Sequence, residues 1–164
     1  PGEGGELLIR SAGMCAGYHD RPAANDESWD EDGWFHTGDL AEFDAATGLY
    51  RIVGRSKDVI IRGGANVSPR EVEEVLTTEP RVREASVIGL PDDYYGEIVC
   101  ACVIVADHQG VTEDELREFA SARLAAYKVP ARIEFCSDFP RNAMGKVQKG
   151  ALIEQVSSRS EDSP

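Results

Sequence analysis

The sequence has 164 residues, of which 41% are hydrophobic and 29% are charged, and this composition is typical of a folded domain. Its 17 basic and 30 acidic residues give a formal net charge of −13, which disfavours general binding to nucleic acid. The longest apolar run, residues 98–105, is too short to span a bilayer, and no basic-then-apolar leader opens the chain, so we expect a cytoplasmic location.

Residues 5–55 contain short apolar stretches separated by turn residues, and they predict a small β-rich unit. The pattern changes between Arg55 and Asp58, where we expect a domain boundary. The predicted organisation is a β-rich region over 1–55, a second domain over 56–156 and a disordered tail over 157–164. The absence of a starting methionine and the polar tail favour an excised segment of a longer protein.

The second domain is predicted to begin with a hairpin and a capped helix. The segment DVIIRGGANVS, residues 58–68, places two adjacent glycines where a tight turn between strands would need them. Ser68 at the N-cap, Pro69 at the first helical position and Glu71 as the capping-box partner predict the start of a helix that ends near Pro80.

Strands and two more helices are expected after this first helix. The strands cover residues 85–90, 98–105 and 131–136, and the second of them is apolar throughout, so it is expected to be central. Thr112 and Glu115 predict a second capped helix running to Pro130, and a short last helix covers 147–156. The order predicts an α+β fold in which helices cover one side of a small mixed sheet.

The cysteines and histidines show no pattern typical of a metal site or a disulfide framework. None of the four cysteines has CxxC spacing, and the three histidines lie singly, so no metal site is expected in this chain. Cys100 and Cys102 are two residues apart and would share one face of a strand as reduced core residues.

Basic residues are concentrated between positions 51 and 70, where five of them accompany a single acid, Asp58. This charge could dock a small anionic ligand. It could equally be a solvated positive face on an acidic protein.

Four segments resemble, in order, the core motifs of the superfamily that contains acyl-CoA synthetases, peptide-synthetase adenylation domains and luciferases. They are GELLIRS with GYHDRP, GWFHTGDLA, GRSKDVIIRGGANVSPREVEEVL and PRNAMGKVQKGAL, and they cover nearly the whole chain. The resemblance implies adenylate formation from an acid and ATP, followed by displacement of AMP by a thiol. It also implies that the α+β domain is a mobile lid, preceded by the β-rich end of a large N-terminal domain.

The resemblance implies that Asp39 and Arg55 bind the ribose of the nucleotide and that Lys57 is a hinge. A carboxylate has two acceptor oxygens that match the two donors of a vicinal diol. A hinge residue must absorb a backbone rotation while it stays solvated, which a lysine allows. On the residues alone, Asp39 could be a turn residue and Lys57 an exposed linker charge.

The resemblance further implies that Gly63 and Gly64 line the channel for the pantetheine thiol, and we expect Arg62 beside them to meet a CoA phosphate. Without a Cβ, the two glycines would let a narrow arm pass the backbone closely, although a tight turn alone would also need them. Lys146 is implied to be the catalytic lysine of adenylation. Lys149 has no such support and is expected to be solvated.

The implied small molecules are a carboxylic acid, ATP with its product AMP, and CoA. The sequence contains no G-x-x-x-x-G-K-[ST] phosphate loop, so the ATP phosphates, Mg²⁺ and the acid pocket are expected to belong to an N-terminal domain, the chain's own partner. Two alternatives stay open: the thiol is the pantetheine of a carrier protein, or the chain is a non-catalytic interaction module. The sequence does not indicate which acid is used.

Overall fold

The computed structural model describes residues 4–106 and 110–161, and the chain divides after Lys57 into two compact units. Within the described residues, no helix is both long enough and apolar enough to cross a membrane.

The first unit contains a three-stranded antiparallel sheet. Its strands are β1 (Gly5–Ile9), β2 (Phe35–Asp44) and β3 (Leu49–Arg55), with β2 in the middle. A short helix that the sequence analysis did not anticipate, α1 (Pro22–Ser28), lies between β1 and β2. Proline at the first helical position favours this start, because its fixed φ suits the helix and its missing N–H is not needed there.

Aromatic contacts connect α1 to the start of β2. The Trp29 ring lies 5.6 Å from that of Tyr18 and 4.7 Å from that of Phe35, measured between centroids. The side-chain amide of Asn25 accepts a hydrogen bond from the Tyr18 N–H at 2.7 Å and donates one to the Tyr18 carbonyl at 3.1 Å. These contacts fix the path of the loop before β2.

The second unit is built on a five-stranded mixed sheet. Its strands are β4 (Ile60–Arg62), β5 (Ala65–Val67), β6 (Val82–Asp92), β7 (Gly96–Val105) and β8 (Arg132–Phe135). The order is β5-β4-β7-β6, and β8 pairs in parallel with β7. The prediction that the apolar run 98–105 forms a central strand is therefore confirmed, because β7 pairs with β4, β6 and β8.

Helices cover both faces of this sheet, so the prediction that they cover one side was wrong. They are α2 (Pro69–Leu76), α3 (Glu113–Ser121) and α4 (Lys149–Glu161). Alternate residues of β7 face opposite cores: Val99 and Val103 pack with residues of α2 and α3, whereas Cys100 and Cys102 pack with residues of α4. A strand buried on both faces reads as a continuous apolar run, as residues 98–105 of β7 do.

The two cysteines of β7 lie on one face of the strand as predicted, and all four cysteines of the chain are reduced. Cys100, Cys102 and Cys136 are buried, whereas Cys15 is exposed. A hydrogen bond with the Cys100 thiol and burial both raise the pKa of Cys102, so this thiol stays protonated in the core.

Helix capping agrees with the sequence at one of the two predicted sites. At the start of α3 the Glu115 N–H donates to Thr112 Oγ1 at 3.2 Å, and the Thr112 N–H donates to Glu115 Oε2 at 2.9 Å, which completes the expected box. At the start of α2, Ser68 occupies the N-cap without a side-chain capping hydrogen bond, and Glu71 instead binds Lys128 Nζ at 2.7 Å.

Two helix ends differ from the prediction. Helix α3 ends at Ser121 instead of reaching Pro130, because the chain turns so that Leu124 and Val129 pack against the core. Helix α4 extends to Glu161, beyond the expected end at Val156, so residues 157–161 of the predicted disordered tail are helical. The rest of that predicted tail, 162–164, lies outside the described residues.

Candidate functional site

In the first unit, Asp39 and Arg55 are cross-strand partners in the β2/β3 pair. Arg55 Nε lies 3.1 Å from Asp39 Oδ1, and Arg55 Nη2 donates to the Thr37 carbonyl oxygen at 3.1 Å. The Asp39 side chain is 38% exposed and that of Arg55 is 47% exposed, so both remain accessible to a ligand. The structure therefore brings together the two residues that the sequence analysis assigned to a ribose.

The backbone conformation of β2 just before Asp39 depends on Gly38 and on a carboxylate from β1. Gly38 has a φ of +70°, and a Cβ at this position would lie 3.2 Å from Arg55 Nη2. Glu6 Oε1 accepts the Gly38 N–H at 2.9 Å, and its other oxygen lies 3.1 Å from His36 Nδ1. The hydrogen bond with His36 lowers the pKa of Glu6. Sequence reasoning missed Glu6, since its partners lie on another strand.

Lys57 lies in a 3-10 turn, Ser56–Asp58, immediately before the division between the two units. Its side chain is exposed. The preceding residue is tied to the first unit, because Ser56 Oγ donates to the Gly38 carbonyl at 3.3 Å. Lys57 is thus the last residue before the chain enters the second unit.

In the second unit, Gly63 and Gly64 form the turn between β4 and β5, and the predicted hairpin is confirmed. Their φ angles are +56° and +83°, a conformation that L side chains rarely adopt. The Gly63 N–H donates to the Tyr95 carbonyl at 2.8 Å, and a Cβ on Gly63 would lie 3.3 Å from Tyr95 Cδ1. Among the described residues, no atom would lie within 4 Å of a Cβ on Gly64, so this side of the turn is open.

Arg62 precedes this turn and is held over an exposed aromatic surface. Its Nη1 donates to the Tyr127 carbonyl at 2.9 Å, and its guanidinium carbon lies 4.9 Å from the centroid of the Tyr95 ring. Tyr94 and Tyr95 are exposed and contact each other edge-to-face, with centroids 4.7 Å apart. The sequence analysis missed these tyrosines, although two adjacent aromatic residues in the loop PDDYYGE were a visible signal.

Lys146 lies in a tight loop that is closed by an antiparallel bridge between Arg141 and Val147. Asn142 holds the Lys146 backbone twice: its Oδ1 accepts the Lys146 N–H at 3.0 Å, and its own N–H donates to the Lys146 carbonyl at 2.9 Å. Gly145 has a φ of +79°, which the loop needs to turn back. The Lys146 side chain is exposed, so a fixed backbone presents an accessible ammonium group.

Lys149 is not a solvated charge, so that prediction was wrong. Its Nζ donates to Glu73 Oε1 and to the Val87 carbonyl, both at 2.9 Å, and its side chain is 27% exposed. Glu73 Oε1 also accepts the Val87 N–H at 2.8 Å. Lys149 therefore connects the start of α4 to α2 and β6.

The residues predicted from the sequence form one group in the first unit and two in the second. Asp39 and Arg55 are in contact in the first unit, whereas the hairpin turn and the Lys146 loop belong to different elements of the second. Within residues 4–106 and 110–161, no group of three or more histidine, cysteine or acidic side chains is arranged to hold a metal ion.

Comparisons with known proteins point to one superfamily. Residues 71–146 match the model of the AMP-binding enzyme C-terminal domain. The chain is 41% identical over 152 residues to the human mitochondrial medium-chain acyl-CoA ligase ACSF2, a match that covers 93% of this chain and 25% of the human protein. It is 45% identical over 154 residues to the long-chain-fatty-acid–CoA ligase FadD13 of Mycobacterium tuberculosis, covering 94% of this chain and 30% of that protein.

The fold agrees with a solved structure of the same kind. ATP-bound MatB from Rhodopseudomonas palustris superposes with a TM-score of 0.88 at 35% sequence identity, covering 96% of this chain and 31% of that one. The chain thus spans about a quarter to a third of the length of the proteins it matches. Residues 71–146, in the second unit, contain the AMP-binding enzyme C-terminal domain, and the chain as a whole is similar to adenylate-forming enzymes.

Proposed function

We propose that this chain is the C-terminal part of an AMP-forming acid–CoA ligase. The observation that carries the proposal is the Lys146 loop, which fixes the lysine backbone through Asn142 and leaves the side chain exposed. The names of the matched relatives, a medium-chain acyl-CoA ligase and a long-chain-fatty-acid–CoA ligase, support the same reaction class.

In the proposed first step, a carboxylate oxygen of the acid attacks the α-phosphorus of ATP. An oxygen–phosphorus bond forms, the bond to the bridging oxygen breaks, and pyrophosphate leaves with its electron pair. Asp39 accepts hydrogen bonds from the ribose hydroxyls, and Arg55 orients this carboxylate while it reaches the ribose itself. Lys146 brings its ammonium group to the point where two anions meet and offsets the charge that develops there.

In the proposed second step, the sulfur of CoA attacks the acyl carbon of the adenylate. A carbon–sulfur bond forms, the carbon–oxygen bond to AMP breaks, and the thiol proton passes to solvent. Gly63 and Gly64 border the path of the pantetheine arm, and the open space beside Gly64 supports this role. Arg62 is assigned to a CoA phosphate, because a guanidinium held by one of its nitrogens keeps other N–H donors.

Alternation between the two steps is assigned to a rotation at Lys57. The support is its position in an exposed turn at the division between the units. This rotation would exchange the Lys146 loop for the hairpin turn at the reacting centre. We assign residues 1–55 to the end of an N-terminal domain and 56–156 to the lid.

The ATP phosphates, Mg²⁺ and the acid pocket are assigned to the N-terminal domain that would precede this chain. Asp39 and Arg55 fit a nucleotide, whereas the described residues hold no cluster of metal ligands. We keep the cytoplasm as the proposed location, although the human relative is mitochondrial.

Two alternatives differ in the acceptor or in the class of protein. An enzyme that loads the pantetheine of a carrier protein would use the same two steps. A non-catalytic interaction module would not need the Asp39–Arg55 pair or an exposed lysine on a fixed loop. The CoA ligase is favoured, since both named relatives are CoA ligases.

The test is an assay of the full-length protein with a panel of carboxylic acids. We expect acid-dependent exchange of pyrophosphate into ATP, followed by thioester formation with free CoA. Transfer to a carrier protein but not to CoA would support the first alternative. Absence of exchange with every acid would support the second. The isolated chain should be inactive in both assays, and exchange by this chain alone would contradict the proposed division of the sites.

A further inference from the structure

Arg141 connects the Lys146 loop to the central sheet. Its Nη2 donates to both oxygens of Glu84, at 2.7 and 2.6 Å, while its Nη1 donates to the Gly145 carbonyl at 3.1 Å. Gly145 immediately precedes Lys146, so this carbonyl belongs to the peptide that carries the Lys146 N–H. One guanidinium therefore bridges a sheet carboxylate and the peptide bond of the lysine.

The same peptide is held from its other side. The Lys146 N–H donates to Asn142 Oδ1 at 3.0 Å, so both the oxygen and the nitrogen of the Gly145–Lys146 peptide have a fixed partner. Asn142 Oδ1 also accepts the Met144 N–H at 3.0 Å. Asn142 and its partners all lie inside the loop, whereas Arg141 reaches Glu84 in the sheet.

Glu84 is a suitable anchor because it lies in the paired part of β6. It is the partner of Ile104 on the central strand β7, and the residues that follow it, Ser86 to Ile88, are buried. A carboxylate on such a strand moves little relative to the core. The contacts of Glu84 and Arg141 therefore hold the Lys146 backbone at a fixed place relative to the sheet.

The pair is too exposed to be explained by stability. The Glu84 and Arg141 side chains are 35% and 33% exposed, and ion pairs in such surroundings contribute little to folding. Contacts through two of its nitrogens, Nη2 to Glu84 and Nη1 to the Gly145 carbonyl, nevertheless fix the orientation of the guanidinium plane. Lysine itself has a long flexible side chain, so the location of its backbone decides how often the ammonium group reaches a given point.

We propose that Glu84 and Arg141 are positioning residues that hold Lys146 for the adenylation step. The inference rests on the proposed function, because it assigns a role to residues that act through Lys146. It requires that loss of the bridge slows adenylation and leaves thioester formation from a supplied adenylate unchanged, since Lys146 serves only the first step.

The first experiment compares two arginine variants in the full-length protein. Arg141→Met should slow pyrophosphate exchange by about ten- to a hundredfold. This is the cost expected when a catalytic group is displaced by up to about 1 Å. Thioester formation from the synthetic acyl-adenylate should stay at the wild-type rate. The matched control is Arg81→Met: Arg81 is 29% exposed and binds Glu79 and Glu115 at 2.7 and 3.2 Å. The control should leave both rates unchanged.

The second experiment repeats Arg141→Met in a Lys146→Ala background. If Arg141 acts through the lysine, its loss should have no further effect on adenylation there. An equal further slowing in this background would overturn the inference, because the arginine would then act independently of Lys146.

A double variant that exchanges the two charges distinguishes a positioning role of Arg141 from ion pairing alone. Glu84→Arg combined with Arg141→Glu restores an ion pair, but a carboxylate cannot donate to the Gly145 carbonyl. The thermal midpoint should match wild type while adenylation stays slow. Recovery of the adenylation rate would overturn the inference. If Lys146→Ala alone fails to slow adenylation, both the proposed role of Lys146 and this inference are wrong. If Lys146→Ala slows adenylation but Arg141→Met does not, only this inference is wrong.

Discussion

Arg55 Nε lies 3.1 Å from Asp39 Oδ1 across the β2/β3 pair, and both side chains are more than one third exposed. An exposed pair of this kind contributes little to folding. We propose that this contact orients the Asp39 carboxylate before a nucleotide arrives.

Asp39→Asn should raise the KM for ATP of the full-length enzyme by about tenfold or more, since hydrogen bonds to a charged acceptor are worth about 1.5–3 kcal/mol. The matched control is Glu42→Gln, whose carboxylate pairs with Arg51 at 3.0 Å across the same two strands. Steady-state kinetics at varied ATP would measure both. An equal rise in KM for the two variants would argue against a specific nucleotide role for Asp39.

Gly64→Trp should block thioester formation and spare adenylation, because the indole would occupy the open space beside the hairpin turn. Positive φ makes the substitution strained, so a control with the same strain is needed. Gly48 has a φ of +70° and equally open surroundings among the described residues, and Gly48→Trp should leave both steps intact. Loss of adenylation in Gly64→Trp to the same extent as thioester formation would indicate a folding role for the turn.

Lys149→Met should destabilise the second unit by about 1–3 kcal/mol, because it removes two hydrogen bonds and leaves the Val87 carbonyl and Glu73 without their cation. Urea unfolding would measure the change. Lys146→Met, which alters an exposed side chain, should leave the unfolding midpoint unchanged. If Lys149→Met shifted the unfolding midpoint no more than Lys146→Met does, the Lys149 contacts would not contribute to folding.

Acid should weaken the second unit through Glu115. The Thr112 N–H, and then Arg81, lower the pKa of this carboxyl below its ordinary value of 4.5. A carboxyl with a lowered pKa in the folded state stabilises the fold above the unfolded-state pKa, and this contribution is lost as the pH falls through the folded-state pKa. Between pH 7 and pH 3, wild type should lose more stability than Glu115→Gln. Parallel losses in the two proteins would contradict this linkage.

Much of the fold could be predicted because local signals agreed with the tertiary structure. The capping box at Thr112, the paired glycines of the hairpin and the apolar run of β7 each fixed an element. The side that α4 covers could not be predicted, because a strand buried on both faces shows no alternation. The end of α3 was misplaced because Leu124 reaches the core from a turn as well as it would from a helix.

Residues of the candidate site could be proposed from the sequence only where they lie in a local motif. Asp39, Arg55 and Lys146 lie in recognisable segments, and their proposed roles follow from that resemblance. Glu84, which holds Arg141, lies in a strand with no unusual pattern, and its partner is far away in the sequence. Lys149 was misjudged for the same reason, since its partners Glu73 and Val87 are brought to it by folding.

We propose that Lys146 serves adenylation and not thioester formation. The most direct measurement is the effect of Lys146→Ala on the two half-reactions of the full-length enzyme, with folding verified by circular dichroism. We predict that pyrophosphate exchange slows by about a hundred- to a thousandfold, the cost of losing one preorganised charge partner. Thioester formation from the synthetic acyl-adenylate and CoA should continue at close to the wild-type rate. Equal slowing of both steps would contradict the account, because the lysine would then not distinguish two positions of the lid.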